Sequence, residues 1–161
     1  MGRVVGLSEL LLVAREERQM GHAIAFANGH FDLLHVGHLR YLRAARQEAD
    51  ILVVGLNDDA SVASLKGEGR PVVPASERAE LLAALDPVDY VVIFAGDSPA
   101  DLLLKLKPEV HCKGTDYGRP EGVPEYDVVQ SYGGRTALVG DPKDHNTSDI
   151  IAAVRSLPAR E

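Results

Sequence analysis

Apolar residues fall into two alternating patterns along this chain. Short continuous runs, each ended by a polar cluster, occur at Ala23–Ala27, Ile51–Leu56, Tyr90–Phe94, Glu109–Cys112 and Arg135–Val139. Such runs read as strands covered on both faces. Between them lie stretches with apolar residues every three or four positions: Leu7–Arg18, Leu39–Arg46, Ala60–Leu65, Ser76–Leu85, Asp97–Leu106, Glu125–Tyr132 and Thr147–Leu157. That spacing predicts amphipathic helices. Ser8, Ser76 and an aspartate of the Asn57-Asp58-Asp59 cluster are the expected N-caps. Pro99 suits an early helical position, and Gly133-Gly134 a helix stop. Strand–helix alternation predicts an α/β fold: a parallel sheet of about five strands with helices on both faces. One domain over residues 1–161 is expected, with the first twenty residues forming a helix packed on its edge.

Composition narrows the partners. The chain has 161 residues and a formal charge of −7, with no long basic run. Nucleic acid needs a basic footprint and is not expected as a partner. Cys112 is the single cysteine, so no internal disulfide forms, and its apolar setting marks it as a small buried hydrophobe. No secretion signal or long apolar span is visible, so no membrane partner and a cytoplasmic location are expected.

The most informative stretch runs from Asn28 to His38, Asn-Gly-His-Phe-Asp-Leu-Leu-His-Val-Gly-His, between the first apolar run and a helix. Helix-leading amides have no intrahelical partner, and the dipole there favours an anion, so phosphate is the natural occupant. Gly29 lets the backbone approach it closely, and Gly37 removes a side chain between His35 and His38. Those histidines, three apart on the first turn, share a face and can both donate to one phosphate. Backbone amides around Gly29, His30 and Phe31 are further donors, and Asp32 is a supporting candidate.

Three later clusters also follow strands. Lys66-Gly67-Glu68-Gly69-Arg70-Pro71 is a glycine-flanked loop whose lysine can close over a polyphosphate as a leaving group departs. Lys113-Gly114-Thr115-Asp116-Tyr117 again offers glycine, lysine and carboxylate together; His111, just before it, reads as inward-facing and structural. Thr147 and Ser148 open the last helix, where hydroxyls serve as caps or phosphate contacts. Arg78 falls in the first turn of its helix, against the dipole, which points to another duty such as reaching a phosphate. An ion pair with Glu77 or Glu80 is the plainer reading. In parallel α/β sheets ligands bind beyond the carboxyl ends of the strands, so these clusters can converge.

The Asn28–His38 string resembles the signature of the HIGH-motif nucleotidyltransferases. Leu65-Lys66-Gly67, Arg70-Pro71, Glu77-Arg78, Asp97-Ser98-Pro99 and Lys113–Tyr117 follow in the same order. Together they look most like the adenylyltransferase domain of bacterial ADP-heptose synthesis, which occurs alone or fused behind a sugar kinase. The resemblance implies a Rossmann-like fold and transfer of AMP from ATP to D-glycero-β-D-manno-heptose 1-phosphate, releasing pyrophosphate. It further implies Mg²⁺ held by the nucleotide phosphates rather than by protein ligands, a homodimer, and a stand-alone or separated domain, since no kinase segment is present. His35, His38, Lys66 and Arg78 would be catalytic. Asn28, Gly29, His30, Phe31, Asp32, Gly37, Lys113, Asp116, Thr147 and Ser148 would bind nucleotide or acceptor. Two departures stand out. The family usually has cysteine where His30 stands, and Asp144-His145-Asn146-Thr147-Ser148 replaces a Gly-x-Ser-Thr-Thr pattern. Cytidylyl transfer to glycerol 3-phosphate, or to a similar small phosphate ester, and non-catalytic nucleotide binding are the competing readings.

Overall fold

A computed structural model describes residues 1–160. The elements follow in the order β1 (Arg3–Val4), α1 (Leu7–Gln19), β2 (Ile24–Gly29), α2 (Val36–Arg46), β3 (Ile51–Asn57), α3 (Asp59–Lys66) and α4 (Ala75–Ala83). Then come β4 (Tyr90–Phe94), α5 (Ala100–Leu106), β5 (Val110–Gly114), α6 (Tyr126–Ser131), β6 (Arg135–Val139) and α7 (Thr147–Arg155). All strands pair in parallel, in the order β1-β4-β3-β2-β5-β6. The sheet therefore has six strands, not five. The extra one, Arg3–Val4, is too short and too exposed to leave an apolar run.

Each sheet face carries its own core. Ala25, Ala27, Leu52, Val54, Leu56 and Cys112 pack under α2 and α4, against Leu42, Ala45, Ala79 and Leu82. Ile24, Phe26, Val53 and Val92 point the other way, against Leu10 and Ala14 of α1, Leu103 of α5 and Val129 of α6. Successive residues of β2 thus serve opposite cores, which is why the strand reads as unbroken apolar sequence rather than alternating. Burying each such aliphatic side chain contributes about 1.5–3 kcal/mol relative to exposure. α1 packs on this face of the sheet, and Arg18 ties it to Glu109 at 2.8 Å.

Helix starts are where expectation and structure differ. Gly6 and Pro74 precede α1 and α4, and neither helix has a side-chain cap, so Ser8 and Ser76 do not serve. Asp58 does cap α3, accepting from the Ser61 amide at 2.9 Å. Asn146 caps α7 through the Asp149 amide at 2.8 Å, which leaves Thr147 and Ser148 free of that task. The Gly118–Pro124 connection is not irregular throughout: turns of 3₁₀ helix at Thr115–Tyr117 and Pro120–Gly122 shape it, and Val123 is buried. Among the described residues no helix is long and apolar enough to cross a membrane.

From β2 the chain winds outward through β3 to β4, then crosses back to place β5 on the other side of β2. The winding reverses between β2 and β5, and the crevice beyond their carboxyl ends is where such sheets bind ligands.

Candidate active site

A cleft of about 570 Å³ opens at that reversal, within the range of small-ligand sites. β2 delivers Asn28 and Gly29, β3 ends in Asn57, and β5 delivers Lys113 and Gly114. The start of α2, the 66–70 loop and the segment between β6 and α7 complete its walls.

His35 and His38 form the wall at the start of α2. His35 is the N-cap residue, and its Nδ1 accepts from the Gly37 amide at 3.1 Å. His38 Nδ1 accepts from the His35 amide at 3.3 Å. With both Nδ1 atoms acting as acceptors, each neutral ring carries its proton on Nε2, leaving one N–H per ring to offer. Burial, with smaller contributions from His35 and Lys143, pushes the His38 imidazole down to about 4; burial likewise lowers His35, helped by His145 and Lys143. Phe31, at φ +45°, meets His38 edge-on with centroids 5.2 Å apart. Gly37 is required by space: a Cβ there would lie 2.9 Å from His35 Cε1.

Asn28 is set from below. The buried His111 donates from Nε2 to Asn28 Oδ1 at 2.8 Å. His111 is structural and inward-facing, and burial carries its imidazole down to about 3. Among the described residues the Asn28 amide nitrogen has no protein partner and remains available at the cleft floor.

Asp32 lines the cleft with its carboxylate already engaged within the protein. Its buried carboxylate pairs with Arg70 Nε at 2.7 Å and accepts from the amides of Val72 and Val73 at 2.9 and 3.0 Å. Burial pulls this carboxyl up, but the two amides and the guanidinium outweigh it and hold it below its usual range. Asp32 fastens the 70–73 segment to the β2–α2 turn, a supporting place at the cleft.

Arg78 does not stand where a catalytic contact was expected. Its side chain is fully buried and does not line the cleft. Nε donates to Val73 O at 2.8 Å, and Nη1 to His30 O at 2.6 Å and Asn57 O at 3.0 Å. Nη2 meets Asp59 at 2.7 Å. The misplaced charge at the start of α4 has another duty, as its sequence position implied, but that duty is to hold three backbone carbonyls and one carboxylate behind the cleft. Its ion-pair partner is Asp59, not Glu77 or Glu80.

The cations that do line the cleft are Lys66, Arg70 and Lys113, with Arg40 and Lys143 at its margin. Arg40 pairs with Asp141 at 3.2 Å and Lys143 with Asp116 at 3.4 Å. Among the described residues Lys113 has no carboxylate within ion-pair distance; it lies 5.3 Å from the Tyr117 ring centroid, and burial lowers its ammonium. A partly desolvated cation without a counter-ion is costly, and an anionic ligand relieves that cost. Thr147 Oγ1 donates to Leu33 O at 3.3 Å, so α7 is hooked to the α2 wall with Ser148 beside it.

Sequence reasoning passed over Arg40 and Lys143, and met His145 only within the altered late motif. Lys143 sits in a polar loop just ahead of that motif, and Arg40 resembles any solvent-facing helical arginine. The available signal was position: Arg40 follows His38 by two residues, and the 141–146 loop follows a strand.

The sheet order, the switch-point cleft and the paired imidazoles at a helix start define a Rossmann-like, nucleotide-binding class of α/β protein. Residues 26–153 match the cytidylyltransferase-like family model, and the chain belongs to that family. Two bifunctional HldE proteins illustrate the relationship. That of Geobacter metallireducens is 52% identical over 92% of this chain, and that of Pseudomonas paraeruginosa 45% identical over 94%. The chain spans only 30% and 32% of those relatives' lengths. Among solved structures, a lipopolysaccharide core biosynthesis protein from Thermoplasma volcanium superposes with a TM-score of 0.66 at 22% identity, covering 76% of this chain and all of that one. A pantothenate synthetase from Thermus thermophilus gives 0.61 at 17%, covering 85% of this chain and 61% of that one. At these identities the likeness concerns the fold.

Proposed function

We propose that this domain is an adenylyltransferase that joins AMP from ATP to a sugar 1-phosphate of the heptose class, giving ADP-heptose and pyrophosphate. The observation that carries the reading is the stacked His35–His38 pair facing the same cleft as Lys66, Arg70 and Lys113. The sequence resemblance to the adenylyltransferase of ADP-heptose synthesis supports the acceptor. So does the match to about a third of the length of proteins named bifunctional, as expected for a domain that also occurs fused to another enzyme.

The acceptor phosphate is already ionised, so the chemistry needs positioning and charge neutralisation more than a strong base. A phosphate oxygen attacks the α-phosphorus, and pyrophosphate leaves in line. The Nε2–H groups of His35 and His38 donate to phosphate oxygens as charge builds there. Amides of the Gly29–Phe31 turn and the Asn28 amide nitrogen hold the α-phosphate. Lys66 closes over the β- and γ-phosphates, while Lys113 faces the nucleotide or acceptor. Arg78 and Asp32 act indirectly, by fixing the turn and the loop.

Among the described residues no group of three or more His, Cys, Asp or Glu side chains is placed to hold a metal. Both Asp32 oxygens are engaged within the protein. This donor set fits Mg²⁺ that arrives on the nucleotide phosphates, where it neutralises charge on the transferring group.

The family's cytidylyltransferase-like character keeps a second reading in play, cytidylyl transfer to a small phosphate ester such as glycerol 3-phosphate. One experiment separates them: pyrophosphate release with ATP or CTP crossed against heptose 1-phosphate, glycerol 3-phosphate and phosphoethanolamine. Release with ATP and heptose 1-phosphate is expected. Release only with CTP selects the second reading. Nucleotide binding with no release for any pair overturns both.

A further inference from the structure

Five imidazoles line or support the β2–β5 crevice, and they differ in what they can still bind. His35 and His38 each spend Nδ1 on a backbone amide. Protonating either ring sets an N–H against that N–H donor. His111 is buried, with Nε2 committed to Asn28. The His30 ring has no hydrogen-bond partner among the described residues, and neither of its nitrogens is a buried orphan. It lines the cleft at the turn leaving β2. Its main-chain carbonyl is held by Arg78, so the residue is fixed while its ring stays uncommitted.

Burial is the main influence that lowers this imidazole, and cations from four segments add to it. Lys66 from the end of α3, Arg70 from the following loop, Arg78 from α4 and Lys113 from β5 all act on it. With burial they hold it neutral. Two of these cations are already paired, Arg70 with Asp32 and Arg78 with Asp59, each at 2.7 Å, while Asp116 is taken by Lys143 and Glu125 accepts from Ser98; among the described residues Lys66 and Lys113 are left as the cleft cations without an ion pair. A polyphosphate entering this space neutralises those cations and brings acceptor oxygens within the same walls. The field that opposes a proton on His30 then reverses.

We propose that His30 is the proton-accepting residue of the cleft: when a polyphosphate binds, its imidazole takes a proton from solvent and donates a charged hydrogen bond to a phosphate oxygen. The inference rests on the reading of the cleft as a nucleotide site. A lone imidazole at a turn is by itself unremarkable. Here its free ring stands beside two rings that are geometrically barred from the same task. His145, 6.4 Å from His35 by ring centroid and 3.6 Å from Asp144, also lines the cleft, and it serves as the control.

The test is calorimetric titration of Mg–ATP, without acceptor, at pH 7 in two buffers of different ionisation enthalpy. Proton uptake is expected for the wild type and for His145→Gln, and is expected to vanish in His30→Gln. In step, the wild-type affinity weakens by up to about tenfold per pH unit between pH 6.5 and 8, while His30→Gln gives a flatter profile. A readout independent of folding of the variants is the His30 ring-carbon NMR shift in the wild type, which moves to the imidazolium position on adding Mg–ATP at pH 7. Uptake that survives in His30→Gln, uptake lost in His145→Gln, or a His30 shift unmoved by bound nucleotide overturns this inference and leaves the nucleotide site standing. Absence of Mg–ATP binding to the wild type overturns both.

Discussion

The rings of His35 and His38 lie stacked, with centroids 3.8 Å apart and planes 24° from parallel. Stacking of two imidazoles is tolerable when both are neutral, and the two Nδ1 acceptors ensure that state. The cost of holding them together is offset by what it yields: two Nε2–H donors at fixed separation, placed before any ligand arrives. Preorganised donors of this kind are the main source of catalysis where charge develops on phosphate oxygens.

Removing one donor is therefore expected to act on rate. His38→Asn keeps an amide in place of the ring, and its pyrophosphate release should fall by roughly 100-fold or more with the thermal transition little changed. Turnover equal to wild type contradicts the role.

Gly37 tests the same pair sterically. In Gly37→Ala the new methyl meets His35 Cε1 at 2.9 Å and Nδ1 at 3.0 Å, so the His35 ring has to move. Activity should drop while unfolding by urea remains cooperative. Full activity means that ring position is not what matters.

Arg78 predicts the opposite split. Arg78→Ala leaves the carbonyls of His30 and Asn57 without their donor in a buried place. Each such orphan costs about 1–3 kcal/mol, so the urea midpoint should fall markedly. Arg78→Lys should recover only part of it, because one ammonium does not reproduce the fork. Loss of turnover with unchanged stability contradicts this placement.

Acid should weaken the fold in a defined order. His38 and His111 titrate near 4 and 3 in the folded chain, against an ordinary 6.5. Between those values the unfolded chain binds more protons, so stability rises with pH across the window. It is complete above 6.5 and is lost progressively as the pH falls. Asp32 and Glu109, both held below their ordinary 3.8 and 4.5, add their losses only below about 4.5. Urea midpoints at pH 7.5, 6 and 5 should decline, and His111→Gln should decline less steeply. A flat profile down to pH 5 contradicts the buried neutral rings.

The strands of the sheet interior were legible because each face of β2 and β3 is buried, which writes a continuous apolar run. The Arg3–Val4 strand was not, since two exposed residues pairing at a sheet edge leave no periodic trace. The cleft residues of the Asn28–His38 string were legible as a local unit: one strand, one turn and one helix start place them together. Arg78 shows the limit of that reading. Its charge against the helix dipole correctly marked an unusual residue, but its direction is set by carbonyls from β3 and the β2–α2 turn, far away in sequence. The late loop escaped for the same reason: Lys143 acquires meaning only through Asp116.

Asp32 has one further consequence, for Lys66. By gripping Arg70, Val72 and Val73 it plants a post at one end of the loop, while α3 plants another at Lys66. Only Gly67, Glu68 and Gly69 span the gap, and both glycines have positive φ. Three residues reach at most about 11 Å, so the loop has little slack and Lys66 is held beside the crevice from both sides. The slack of that loop is thereby taken up by a carboxylate whose bonds are made inside the chain.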